Sequence, residues 1–117
     1  MARRDLTGAV DFTVLEHYAG GDVDVMDEVL GLFQQQSASW GGLLDAAGEG
    51  WRDAAHTLRG SAAGIGAQGL AECCLLAEQA GDAQAGPALE RVKDALALTL
   101  ADVAAFRHEL MLRSLRG

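Results

Sequence analysis

The chain has 117 residues, enough for one compact unit with a single core and too few for a catalytic domain plus a regulator. Half of its residues are apolar, yet six are aromatic and one is proline, while Ala and Leu supply 39 residues against eight Val plus Ile, which favours helices over strands. Seventeen acids against nine bases give a formal charge of −8 with no basic cluster, which argues against a nucleic-acid partner, because neutralising phosphates needs a basic face.

In chain order, Asp11 is a candidate N-cap for a short helix running to about Tyr18 and ended by Gly20-Gly21. Asp22 is the next cap, with Asp24, Asp27 and Glu28 suited to the positive end of a helix. Val25, Met26, Val29, Leu30, Phe33, Trp40, Leu43 and Leu44 recur at steps of three and four, predicting a long amphipathic helix from Asp22 to Ala47, with a bend possible at Gly41-Gly42. Trp51, Ala54, Ala55, Leu58, Ala62 and Ile65 begin another stripe, broken by Gly64 and Gly66. A further helix from about Ala67 to Ala80 carries Leu70, Cys73, Cys74, Leu76 and Ala77. Gly81 to Gly86 reads as a connector, with Pro87 in the first turn of the last helix, where its missing N–H is harmless. That helix sets Leu89, Val92, Leu96, Thr99, Val103, Phe106 and Leu110 in a heptad seam. The expected fold is all-α: an antiparallel four-helix bundle with a short additional N-terminal helix. It forms a single domain over 1–117, with a core at about 10–113 and residues 1–9 flexible.

No apolar run reaches the length of a membrane span and no signal-peptide core follows the N-terminus, so a cytoplasmic protein is expected. Adjacent Cys73 and Cys74 point in different directions on a helix and read as reduced, core-filling thiols. His17 and His108 have no metal-ligand spacing to another histidine and read as surface residues.

Charge by segment locates a site. Residues 1–50 hold two bases against nine acids and residues 70–117 five against seven, whereas residues 51–69 hold two bases and one acid. At 100° per residue, Trp51, Ala54, Ala55, Ser61, Ala62 and Ile65 fall within about 60° of Leu58, and His56 falls at about 160°. Arg52, Arg59, Gly60 and Ala63 surround His56 on that outer face. Helical side chains lean toward the N-terminus, so a side chain at position 60 would lean over the imidazole; glycine leaves it bare, at about 1 kcal/mol of helix propensity. Imidazole, with an ordinary pKa of about 6.5, is largely unprotonated and nucleophilic near neutral pH. Arginine offers donors matched to phosphate oxygens. A histidine that carries a phosphoryl group and is reached by a bulky protein partner accounts for this combination.

The run His56-Thr57-Leu58-Arg59-Gly60-Ser61, followed by Gly66-Ala67, Leu70, Cys74 and Glu78, closely resembles the signature of the histidine-containing phosphotransfer (HPt) family. Gly20-Gly21-Asp22, Val29, Phe33 and Leu43-Leu44 resemble its first long helix, so the likeness covers about residues 10–110. The family usually has lysine where this chain has Arg59, which keeps the charge and changes its shape. The resemblance implies a phosphoryl carrier between receiver-domain aspartates, on a hybrid histidine kinase and a response regulator, without kinase or phosphatase activity of its own. His56 is then the phosphoacceptor, Arg59 and Gly60 support the phosphate site, and Arg52 and Ala63 belong to the docking face. It also implies that Mg²⁺ resides on the receiver, with no metal or cofactor here. A monomer is expected, since four helices can close a core alone.

Other readings fit less well. Gly64-Ile65-Gly66-Ala67-Gln68-Gly69 matches a dinucleotide fingerprint in spelling, but follows a helix rather than a strand. Asp53-x-x-His56 is a single near miss to the paired Glu-x-x-His of a di-iron bundle. A helical interaction module that binds receivers or kinases without carrying phosphate is the alternative, and it leaves the bare His56 beside Gly60 unexplained.

Overall fold

The computed structural model describes residues 8–116, which form five helices and no strand: α1 (Phe12–Tyr18), α2 (Val23–Gly41), α3 (Trp51–Ile65), α4 (Gln68–Gln79) and α5 (Asp82–Leu115). The all-α expectation holds among these residues. The expected flexibility of residues 1–9 falls almost wholly outside them. At about 1.5 Å per residue the 34 residues of α5 account for the 52 Å long axis of the molecule. Helix α3 packs on α4, α4 on α5, and α2 on both α5 and α3, while α1 lies against α3.

The caps behave as local chemistry dictates. Asp11 accepts the N–H of Thr13 and Asp22 accepts those of Asp24 and Val25, satisfying donors that have no partner within their helices. The α1 segment is fastened at three points. The Val10 N–H donates to the buried Asp102 carboxylate, the Asp11 N–H donates to the Gly66 carbonyl, and the Phe12 ring stacks on Phe106 with centroids 4.0 Å apart.

The stripes on α3 and α5 bury as expected: all six residues of the first and all seven of the second are in the core. On α2 the apolar set is narrower. Met26, Leu30 and Phe33 are buried, whereas Val25 is exposed; beyond the end of α2 Leu44 is buried and Leu43 exposed, and on α4 Leu76 is exposed as well.

Two boundaries differ from the sequence reading. Helix α2 ends at Gly41 rather than continuing to Ala47. Beyond it the Leu43 N–H turns back to Trp40 and the Leu44 N–H to Gly41, which swings Leu44 into the core. The Gly41-Gly42 pair, poor in helix propensity, terminates the helix instead of bending it. The stretch from Asp82 to Gly86 is helical rather than a connector. Gly81 is the extended cap, Asp82 supplies the acidic first residue, and Ala85 is buried in line with the seam. Pro87 therefore sits in the second turn of α5, preceded by Gly86, which has no Cβ to meet the pyrrolidine ring.

Candidate functional site

Helix α3 presents the site because its opposite face is consumed by the core. With Ala54, Ala55, Leu58 and Ala62 buried, the periodicity forces His56, Gly60 and Ala63 outward, and all three are exposed. A Cβ added at Gly60 would meet nothing within 4 Å, so the open space beside the imidazole is real. The His56 side chain is 66% exposed, which lets a second protein reach it without any rearrangement.

The second element of the site is α4. Its last turn brings Glu78 beneath the ring, with Oε1 2.7 Å from His56 Nδ1. An ionised carboxylate only accepts, so Nδ1 carries the proton and donates it, and the lone pair is left on Nε2. Arg59 Nη2 also lies 3.1 Å from Nδ1, but a guanidinium only donates. An Nδ1–H cannot accept at the same time, and the shorter charge-assisted bond to Glu78 fixes the tautomer. Arg59 is instead held by Glu78 itself, its Nε 2.7 Å from Oε2, as an ion pair without an aligned hydrogen bond. Glu78 is largely covered, at 15% exposure, and Arg59 is more open at 37%. The carboxylate thus sits between the imidazole and the guanidinium.

Arg52 is turned elsewhere. Its guanidinium donates to the carbonyls of Glu78 and Ala80 and lies 4.3 Å over the Trp51 ring, tying the end of α4 to the start of α3. Such a contact satisfies carbonyls that have no partner inside the helix. The structure therefore gathers His56, Arg59 and Gly60 at one place, puts Ala63 on the same face, and aims Arg52 at the backbone that carries Glu78. Burial pushes the Cys74 thiol, one turn before Glu78, up to about 12, with Cys73 and Glu78 adding to the effect. It stays a neutral packing group. Among the described residues no group of three or more His, Cys, Asp or Glu side chains is placed to hold a metal ion.

Glu78 is the residue whose role sequence reasoning missed. It was visible as part of the family pattern, but nothing in its spacing tells that α4 folds back with this face under His56. Beside the site, along α3, a largely apolar groove of about 490 Å³ is lined by Tyr18, Val29, Leu32, Phe33, Ser61 and Gly64 among others. Tyr18 is 83% exposed and Leu32 is about half exposed at its rim.

Comparison with known proteins agrees with this geometry. The family model described as Hpt domain matches residues 24–106, a span that includes His56, Arg59, Gly60 and Glu78. Among solved structures, the crystal structure of histidine phosphotransferase ShpA from Caulobacter crescentus superposes with a TM-score of 0.81 at 49% sequence identity, covering 92% of this chain and 99% of that one. Among curated proteins no match was found. With a family model matched over most of its length and a structural relative of this identity, the chain belongs to the Hpt domain family and functions in phosphoryl transfer within a phosphorelay.

Proposed function

We propose that His56 is the phosphoacceptor and that the reacting atom is Nε2. The observation that carries this is the 2.7 Å contact between Nδ1 and Glu78, which fixes the proton on one ring nitrogen and leaves the other free on an exposed helix face. The Nε2 lone pair attacks the phosphorus of an aspartyl phosphate on a receiver domain; the N–P bond forms as the P–O bond to the aspartate breaks. Onward transfer reverses these roles with a second receiver aspartate. Arg59 is the donor placed to meet the phosphoryl oxygens, and Gly60 keeps the approach open. Mg²⁺ belongs to the receiver in this reading, and the chain contributes no metal or cofactor and no kinase or phosphatase activity of its own.

The partners proposed are the receiver domains of a hybrid histidine kinase and of a response regulator. They would dock over Ala63 and the apolar groove beside it, with Arg52 contributing at the edge. The acidic remainder of the surface disfavours nucleic acid. The pairing of α2 with α3 and α5, and of α4 with the same two, supports an antiparallel four-helix bundle with α1 across one end. We place the chain in the cytoplasm as a monomeric single domain spanning 1–117, with its core at about 10–113. No described helix is long and apolar enough to cross a membrane.

Incubation with a phosphorylated receiver tests the reading. Label should move onto this chain in a form stable to base and lost in acid, and His56→Gln should abolish it. Label that survives the substitution overturns the assignment. Arg59→Ala should slow transfer less than loss of His56 does, since Arg59 supports the reaction without forming a bond to phosphorus.

A further inference from the structure

We infer that Asp102 is a positioning residue for receiver docking: from the core side of α5 it latches the start of α1, and α1 forms one wall of the apolar groove. This rests on the groove beside His56 as the receiver's docking face. Among the described residues Asp102 is the one carboxyl group in the core, fully buried, and the chemistry at His56 makes no use of it. A carboxyl group taken out of water is costly unless it is hydrogen-bonded, and its Oδ2 accepts the Val10 N–H at 3.1 Å. Phe106 stands one turn further along the same stripe of α5 and stacks on Phe12. That stripe therefore grips the chain at Val10 and again at Phe12, where α1 begins.

Helix α1 depends on such a grip. Its 7 residues are too few to hold a helix by themselves in water, so tertiary contacts fix its place. Leu15 is buried in the middle, and the directional fastenings lie at the start: Val10 to Asp102, the Asp11 N–H to the Gly66 carbonyl at 2.9 Å, and Phe12 to Phe106. At the other end Arg113 and Glu16 are 3.9 Å apart, Tyr18 is exposed, and the chain leaves through Gly20 and Gly21, both in left-handed backbone. Across the groove, Leu15 and Tyr18 of α1 face Val29 and Leu32 of α2 and Ser61 and Gly64 of α3. Freeing the start of α1 lets that wall shift, while the four longer helices, which pack directly on one another, stay together. His56 keeps its own contact with α4 throughout. Docking and chemistry are thus separable at Asp102.

The test uses the full chain and three variants. Asp102→Ala removes the acceptor, Val10→Pro removes the donor from the other side of the same bond, and Asp102→Asn keeps one acceptor oxygen. Each is given two phosphodonors. One is a phosphorylated receiver in excess, which must dock; the other is phosphoramidate, whose P–N bond breaks as Nε2 bonds to phosphorus and ammonia leaves, and which is too small to need a docking face. With the receiver, Asp102→Ala and Val10→Pro should raise the half-saturating concentration about tenfold and change the limiting rate by less than about twofold, and Asp102→Asn should recover most of the loss. Labelling by phosphoramidate should match that of the unmodified chain. Hydrogen exchange should quicken at the amides of α1 and not at those of α3. An unchanged half-saturating concentration, or a phosphoramidate rate that falls along with the receiver rate, overturns the inference. Leu32→Glu, on α2 at the groove rim, tells the two readings apart: if it too leaves receiver saturation unchanged, the docking face itself is wrong and the inference falls with it, whereas an effect of Leu32→Glu without one of Asp102→Ala overturns the inference alone.

Discussion

Gly31 on α2 lies directly beneath the Arg107 guanidinium of α5: a Cβ built on it would come within 3.2 Å of Cζ and both terminal nitrogens. Arg107 is tethered by Asp27 through Nε at 2.7 Å and Nη2 at 3.2 Å, and by Gln34 through Nη1 at 2.6 Å. The glycine makes room for a bridge between the two helices. Gly31→Ala should therefore change stability little in the unmodified chain, because a gain of about 1 kcal/mol in helix propensity is offset by displacing the guanidinium. In an Arg107→Ala background the same substitution should stabilise by about 1 kcal/mol. Urea denaturation of the four variants measures the coupling, and equal effects in both backgrounds would refute it.

Gly60 and its open surroundings predict a separation of stability from function. Gly60→Ala should raise stability by about 1 kcal/mol in thermal or urea unfolding, since nothing stands in the way of the methyl group. Gly60→Trp should leave the helical circular dichroism unchanged and slow phosphotransfer by an order of magnitude or more, because its side chain leans over His56. Undiminished transfer would mean that the receiver approaches from another side.

The two glycines at the end of α3 should behave differently. Gly66 has φ +90°, and a Cβ there would lie 2.3 Å from the Asp11 carbonyl oxygen, a backbone atom that cannot step aside alone. Gly66→Ala should destabilise by about 2 kcal/mol or more and loosen α1 from α3, seen as faster hydrogen exchange at the Asp11 amide. Gly64 has nothing within 4 Å, and Gly64→Ala should be neutral or stabilising.

Stability should fall at both ends of the pH scale for identifiable reasons. The hydrogen bond from Arg107 holds the Asp27 carboxyl below its ordinary value of 3.8, so folding binds fewer protons there than the unfolded chain does. The stabilisation is present above that value and is lost as pH falls through the lower folded one; Asp27→Asn should remove this part of the acid sensitivity. Cys74 has the opposite sense. Burial raises its thiol from 9.0 to about 12, so its contribution is complete below pH 9 and declines as pH rises toward 12. Cys74→Ala should flatten the alkaline limb of a stability curve, and native Cys74 should resist alkylation until the chain unfolds.

The cores of α3 and α5 were legible because strict three-and-four spacing leaves one solution for which face is buried. His56 and Gly60 followed from that same arithmetic as the residues on the remaining face. Glu78 did not, because its meeting with His56 depends on how α4 rolls against α3, which no spacing within either helix determines. Arg52 was placed on the correct helix face, but its long side chain reaches around to the carbonyls of α4, a choice made by backbone acceptors and not by angle. Around residues 82–86, Gly81, Gly86 and Pro87 outweighed a quieter signal, an aspartate at a helix start followed by an alanine in register with the seam.

The openness of His56 has a cost in fidelity. With His56 as the proposed phosphoacceptor, a phosphoryl group there would stand on an exposed helix face, open to every receiver that collides with the chain. On that proposal the chemistry at Nε2 would not tell one aspartate from another, and discrimination would fall to the lifetime of each encounter, set by how well a partner fits the apolar groove and tolerates the surrounding negative charge. Wrong receivers would then be rejected by leaving before the N–P bond can break.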